Sequence, residues 1–273
     1  MLMKRVWGHL LTGVSFLACG AAAVGACKSD DSTLFVQDVL AAQPVSAGAE
    51  CSFTSSPTQP VISSGLLDIA FRTEYDPTYL IGNQSVPEVN SQQLATETNI
   101  ITVQGAIVRI TDAAGNQLST FSRLAAATVY PSSGSVPGYA PITVTTIDST
   151  TIDSNASLQA NVMAGGTTRL VTYVQFFGVT TGGNSVKSDT FEFPVDVCYG
   201  CLIGFSSSSD NTSPAYLQPN CILASGSGSS STSSLPTPCV PGQDFAIDCS
   251  ACQQIPACRG AYATQAVPDA GAD

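Results

Sequence analysis

The sequence predicts an all-β fold: an antiparallel β-sandwich of immunoglobulin-like or related topology, with a small disulfide-rich module at its C-terminal end. Three observations point there. Across residues 66–198 apolar side chains recur at every second position, the spacing of a half-buried strand. Clusters of Gly, Asn and Asp divide that region at intervals suited to tight turns. Beyond Cys201 the texture changes to serine-rich sequence and then to closely spaced cysteines, with too few apolar residues to build a core.

The elements follow in order. Leu34-Phe35-Val36-Gln37-Asp38-Val39-Leu40 fits a strand or a helical turn, and its length decides nothing. Leu67, Ile69, Phe71, Thr73 and Tyr75 alternate with Asp68, Ala70, Arg72 and Glu74, which reads as one half-buried strand. Residues 100–110 form the next. Ile101 and Val103 face one way, then the phase moves to Ala106, Val108 and Ile110, with Gly105 at the switch where a β-bulge restores the facing. A turn at 112–116 leads to alternation at Leu118, Thr120 and Ser122. Ile142, Val144 and Thr146 mark another strand. Ala156, Leu158, Ala160 and Val162 mark one more, ended by Gly165-Gly166. The strongest hairpin is last: residues 169–179, a turn at Thr181-Gly182-Gly183-Asn184, and a return in which Phe191, Phe193, Val195 and Val197 share a face. Seven or eight strands and no convincing amphipathic helix suggest the sandwich, with a transthyretin-like sandwich or small barrel also open. The doubled Thr-Ile-Asp-Ser at 146–149 and 151–154 is only a local repeat.

Upstream, Lys4 and Arg5 precede an apolar run that ends at Val24-Gly25-Ala26-Cys27. A positive n-region, an apolar stretch and small residues before a cysteine are the parts of an export signal. This end resembles the lipobox of bacterial lipoproteins. The resemblance implies cleavage before Cys27, a diacylglyceryl group on its thiol and acylation of the new amine. Each buried acyl methylene then contributes about 0.8 kcal/mol to membrane attachment. Phe16-Leu17-Ala18-Cys19 is a poorer lipobox, and processing there would leave an odd number of cysteines. An uncleaved helical anchor of roughly 20 residues is the plain alternative. Lys28, where an Asp would favour inner-membrane retention, leans toward the outer membrane. The whole chain is also similar to uncharacterised cysteine-rich lipoproteins of Gram-negative bacteria, through Tyr79-Leu80-Ile81-Gly82-Asn83-Gln84, Glu97-Thr98-Asn99 and Asp248-Cys249-Ser250-Ala251-Cys252. That likeness implies no activity.

The expected organisation is a lipoprotein signal peptide at 1–26, a tether and N-terminal segment at 27–63 and a β-sandwich at 64–205. A Ser/Gly/Pro-rich linker at 206–238, a cysteine-rich module at 239–260 and a disordered tail at 261–273 follow. After processing, Lys28, Arg72, Arg109, Arg123, Arg169, Lys187 and Arg259 face all 20 Asp and Glu. No basic patch is present to neutralise phosphates, which argues against nucleic acid as a partner. The single histidine, His9, and the single tryptophan, Trp7, lie in the leader. Triads built on histidine, histidine metal sites and tryptophan sugar platforms are thereby excluded from the processed chain.

Eight cysteines remain: Cys51, Cys198, Cys201, Cys221, Cys239, Cys249, Cys252 and Cys258. In an oxidising compartment an even count reads as four disulfides of open pairing, each worth about 2–4 kcal/mol. The two C-x-x-C pairs, Cys198/Cys201 and Cys249/Cys252, raise a zinc site and a thioredoxin-like redox site as rivals. A zinc site would need the pairs brought together across a low-complexity stretch. A redox site would need a helix after Cys198, where the sequence shows none. Asp148, Asp153 and Asn155 offer oxygens to Ca²⁺ without EF-hand spacing, and solvated turn residues explain them equally. Glu74 with Asp76, or Glu192 with Asp196, are candidate carboxylate pairs for a glycoside hydrolase. The expectation is a cell-envelope lipoprotein with a structural, adhesive or partner-binding role, no catalytic residues, no metal and no cofactor. Its partners would be the membrane through its lipid and an envelope protein or glycan. A carbohydrate-binding module or carboxylate-pair hydrolase is the alternative reading, and a thiol–disulfide redox protein the third.

Overall fold

The alternating strands assemble into two facing sheets in the computed structural model, which describes residues 33–42, 52–88, 97–204 and 240–248. In chain order the strands are β1 (Leu34–Leu40), β2 (Val61–Ile62), β3 (Gly65–Asp68), β4 (Thr78–Asn83), β5 (Ile101–Asp112), β6 (Gln117–Val129) and β7 (Gly138–Thr143). Two helices follow, α1 (Ser149–Asp153) and α2 (Ala156–Met163), then β8 (Thr168–Thr180), β9 (Ser185–Lys187), β10 (Phe191–Cys198), β11 (Ile203–Gly204) and β12 (Ile247–Asp248). One sheet has the order β2-β1-β4-β7. The other runs β3-β10-β8-β5-β6, with β9 also on β8. All pairs within these two sheets are antiparallel except β3 with β10. This is an immunoglobulin-like order: β1, β4 and β7 stand where A, B and E stand, and β5, β6, β8 and β10 where C, C′, F and G stand.

The core lies between the sheets. Ile101, Val103, Ala106, Val108 and Ile110 of β5 are fully buried, as are Leu170, Val174 and Phe176 of β8. From the opposite sheet, Tyr79 meets Phe176 edge-on at 5.4 Å and Phe191 at 5.9 Å between ring centroids. Such aromatic pairs add about 0.5–1.5 kcal/mol beyond the area they bury. The phase switch on β5 is a bulge: its register against β6 and β8 shifts between Val103 and Gly105. Gly105 is required there, because a Cβ would sit 2.5 Å from the Arg123 carbonyl oxygen. The 112–116 turn forms as expected, with the Asp112 carboxylate accepting from the amides of Ala114 and Asn116.

Four expectations need correction. Leu34–Leu40, left open between strand and helical turn, is a strand paired with β2 and β4, so the sandwich begins before the 64–205 bounds expected for it. The strand expected through residue 75 ends at Asp68, whose side chain accepts from the Ala70 amide and whose carbonyl accepts from the amides of Phe71 and Arg72. That local turn draws the backbone off the ladder. On β6 the inward positions are Phe121, Arg123, Ala125 and Ala127, while Leu118, Thr120 and Ser122 face outward. Finally, the strand expected at 156–162 is helix α2. Leu158 and Val162 are buried, whereas Ala156 and Ala160 are exposed. The two buried residues are four apart, a spacing shared by period-two and helical patterns. Asn155 caps the helix through the Leu158 amide. Gly165 (φ +86°) and Gly166 close it, donating to the carbonyls of Val162 and Asn161, which is a Schellman motif.

No helix among the described residues is long and apolar enough to cross a membrane. Phe176 is fully buried between the sheets against Tyr79, so Phe176→Ala should lower the unfolding free energy by about 3–5 kcal/mol in urea titration.

Candidate functional site

Two carboxylates, one buried and one half-buried, organise one end of the sandwich. Asp68, at the end of β3, is fully buried. Its Oδ1 accepts from the amides of Ala70 (3.0 Å) and Gly200 (2.7 Å), and its Oδ2 from the amide of Leu202 (2.8 Å). Gly200 and Leu202 flank Cys201, and a disulfide joins Cys198 to Cys201 with Cα atoms 6.0 Å apart. The C-x-x-C turn is thus held both by its cross-link and by a negatively charged acceptor beneath it. The ligand-type atoms of Asp68, Cys198 and Cys201 lie within 4.8 Å of one another. In this oxidised form the sulfurs are bonded to each other and the carboxylate accepts from three N–H groups, so these atoms are already engaged.

The second carboxylate, Asp244, belongs to the stretch 240–248. Its backbone N–H donates to the Leu66 carbonyl at 2.9 Å, and the Leu66 amide donates to its Oδ1 at 2.8 Å. The Tyr75 hydroxyl donates to both of its oxygens at 3.0 Å. Next to it, Gln243 pairs with the Asp76 backbone as an amide would in a sheet. Its Oε1 accepts from the Asp76 amide at 2.9 Å and its Nε2 donates to the Asp76 carbonyl at 3.1 Å. Asp68 N–H donates to the Gly242 carbonyl. The first part of the stretch expected to be a separate cysteine-rich module is therefore knitted onto β3 and the start of β4. Burial pushes the Asp244 carboxyl above the ordinary carboxylate range, partly offset by the Leu66 and Tyr75 bonds. Burial, and then the Asp244 charge, likewise push the Tyr75 hydroxyl up.

Beside Asp244 opens a depression of about 510 Å³. Its apolar walls include Leu40, Phe53, Ile62 and Phe245, and its polar ones include Asp76, Gln243 and Arg123. Arg123 reaches Asp148 at 3.1 Å, and Asp76 pairs with Arg72. Asp244 has no cationic partner among the described residues. Arg123 and Leu124 place β6 on the rim.

β6 is the edge of its sheet. On the side away from β5 it forms no ladder with another strand among the described residues. Register shifts near both ends put an extra residue on β6, leaving 119–124 regularly paired with β5. Its outward side chains, Leu118, Thr120, Ser122, Leu124, Ala126 and Thr128, carry no charge, and Leu124 is 91% exposed. Edge strands of monomeric proteins are usually protected by charge, proline or bulges. β6 has a bulge near each end and an inward Arg123, but its outward face carries neither charge nor proline.

The candidates read from sequence are dispersed. Cys198 and Cys201 pair with each other. Cys27, Cys51, Cys221, Cys239, Cys249, Cys252 and Cys258 lie outside the described residues, so their lipidation or pairing is not visible. Asp148 and Asn155 are spent as helix caps, accepting from the amides of Thr151 and Leu158, while Asp153 is exposed at the end of α1. These oxygens are not gathered round a cation. Glu192 and Asp196 project from the outer face of β10, and Arg169 grips Asp196 through two bonds of 2.8 and 2.7 Å. That hydrogen-bonded guanidinium holds the Asp196 carboxyl below its usual range. Glu74 is exposed, and only Asp76 of its pair reaches the depression. Among the described tyrosines, Tyr75 and Tyr79 are interior, and Tyr173 lies under the Arg109 guanidinium at 3.9 Å. Sequence reasoning missed Gln243 and Asp244. The only local signal was Pro241-Gly242, a turn pair that brings the next residues back against β3.

No protein-family model matches the chain, and no curated protein does. Among solved structures, the chain is similar to a protein from Archaeoglobus fulgidus at 10% identity and a TM-score of 0.30, over 49% of this chain and 91% of that one.

The two carboxylates should respond differently to substitution. Closing only the short Cys198–Cys201 loop constrains the unfolded chain little, about 2 kcal/mol. Asp68→Ala strands three amides and should cost about 3 kcal/mol or more. Chemical denaturation should therefore rank Asp68→Ala below the Cys198→Ala/Cys201→Ala double variant. For Asp244 the native pKa exceeds the unfolded one, so its contribution is present below the ordinary Asp range and is lost as pH rises through the native value. Asp244→Asn should flatten that part of the stability–pH curve relative to the wild type.

Proposed function

We propose that this chain is a non-enzymatic lipoprotein of the bacterial cell envelope that binds a protein partner through β6. The observation supporting the reading is the edge of β6, uncharged on its outward face and unpaired among the described residues, beside a depression with apolar and polar walls. Main-chain N–H and C=O groups on such an edge are free to pair with an extended segment of another protein, a common mode of recognition. Leu124, almost wholly exposed at the rim, adds apolar contact. Anchoring rests on the lipobox-like end at Cys27, and an outer-membrane address on Lys28.

The alternative readings fit less well. Of the carboxylates expected to form hydrolase pairs, Asp196 is held by Arg169 and Asp76 by Arg72. A sugar platform would want several exposed aromatic faces in line, and of the described tyrosines Tyr75 and Tyr79 are buried and Tyr173 is covered by Arg109. A redox role would use Cys198 and Cys201; Cys198 is buried and no helix begins at the motif to stabilise its thiolate.

Photo-crosslinking residues placed at Thr120 and Ser122, compared with one at Ser64, test the reading in intact envelopes. Protein adducts from the β6 positions alone, on a product carrying acyl mass at Cys27, are expected. Equal labelling from Ser64, or an unacylated product starting upstream of residue 27, overturns it.

A further inference from the structure

We infer that the depression beside Asp244 receives a basic side chain, Lys or Arg, from the partner segment that pairs with β6; this rests on the edge-binding reading above. The depression and the edge are continuous, since Arg123 and Leu124 of β6 line its rim. A strand laid along β6 sends alternate side chains toward the same side, so one of them falls at the mouth. The walls then select its chemistry. Leu40, Phe53, Ile62 and Phe245 offer apolar contact to a long aliphatic stem. At the polar end Asp244 is the group whose charge is left over. Arg72 neutralises Asp76, and Arg123 is engaged by Asp148. Among the described residues Asp244 is satisfied by neutral donors, the Leu66 amide, the Tyr75 hydroxyl and the Gln243 side chain.

A half-buried carboxylate without a cation carries the desolvation cost of its charge, and an ammonium or guanidinium entering the depression offsets it. The raised proton affinity of Asp244 is the mark of that deficit. A neutral apolar guest would bury the deficit further, and an acidic guest would add repulsion. The volume, about 510 Å³, takes one long side chain with water to spare. The net charge of −11 draws basic segments toward the surface from a distance.

The test uses the full chain, isotopically labelled, and four blocked peptides of alternating Thr and Val that differ only at the central residue: Lys, Arg, norleucine or Glu. Titrations follow the amide signals of residues 118–128. The Lys and Arg peptides should bind at least about tenfold more tightly than norleucine, with Glu weakest. In Asp244→Asn, which keeps an acceptor for Leu66 and Tyr75, the preference for Lys over norleucine should vanish while norleucine binding stays. Equal affinities for Lys and norleucine in the wild type, with shifts along β6, overturn the basic-pocket inference and leave the edge reading standing. Absence of shifts in β6 with every peptide overturns both. A dimer that forms through β6 and excludes the peptides also overturns both, assigning the edge to a second copy of this chain.

Discussion

The arrangement at the end of the sandwich depends on one buried charge and the three amides that face it. Asp68 closes β3, turns the chain away toward Tyr75, and holds the Cys198–Cys201 turn beneath β10. Its own backbone N–H reaches Gly242, so the stretch 240–248 is fastened at the same point. A buried carboxylate is costly unless its lone pairs are filled. Here one partner is local, residue 70, and two come from residues 200 and 202, 132 and 134 positions away, and the penalty of losing any of them makes their convergence specific. The disulfide adds a short covalent staple to a turn that hydrogen bonds already define.

From that point the two edges of the larger sheet diverge in character. At β3 the edge is covered, because Leu66, Leu67 and Asp68 engage Gly242, Gln243 and Asp244. At β6 nothing comparable is present among the described residues, and the inward positions Phe121, Ala125 and Ala127 are only partly buried. Asp244 links these situations. The residue that fastens the covered edge also faces the depression that β6 borders, so in the proposed binding mode fastening and recognition would share a carboxylate.

The sandwich was legible because burial on one face leaves a strict period of two, as in β5, β8 and β10. The bulge at Gly105 was legible too, since one inserted residue shifts the apolar phase by one position and a glycine tolerates the close backbone approach that results. Helix α2 was not. Ala156 and Ala160 look apolar in sequence yet face solvent, and Leu158 with Val162 satisfies either period. The Asn155 cap and the Gly165-Gly166 close were the signals that distinguish them. β6 was read on its outward residues, since Leu118 outranks Ser119 in hydropathy while the register sets the facing. The candidate site was the least legible part. Asp244 acquires its environment from Leu66 and Tyr75, about 170 residues upstream, and no local pattern records contacts of that range.

The central claim is that β6 is an edge left open for another chain. Hydrogen exchange on residues 118–128, measured on the purified protein and again on the protein in isolated envelopes, bears on it most directly. An open edge predicts rapid exchange at alternate β6 amides in the purified protein and slow exchange in envelopes, with β5 and β8 equally protected in both. Equal β6 exchange in the two preparations, or β6 amides already as protected as those of β5 when purified, would contradict it.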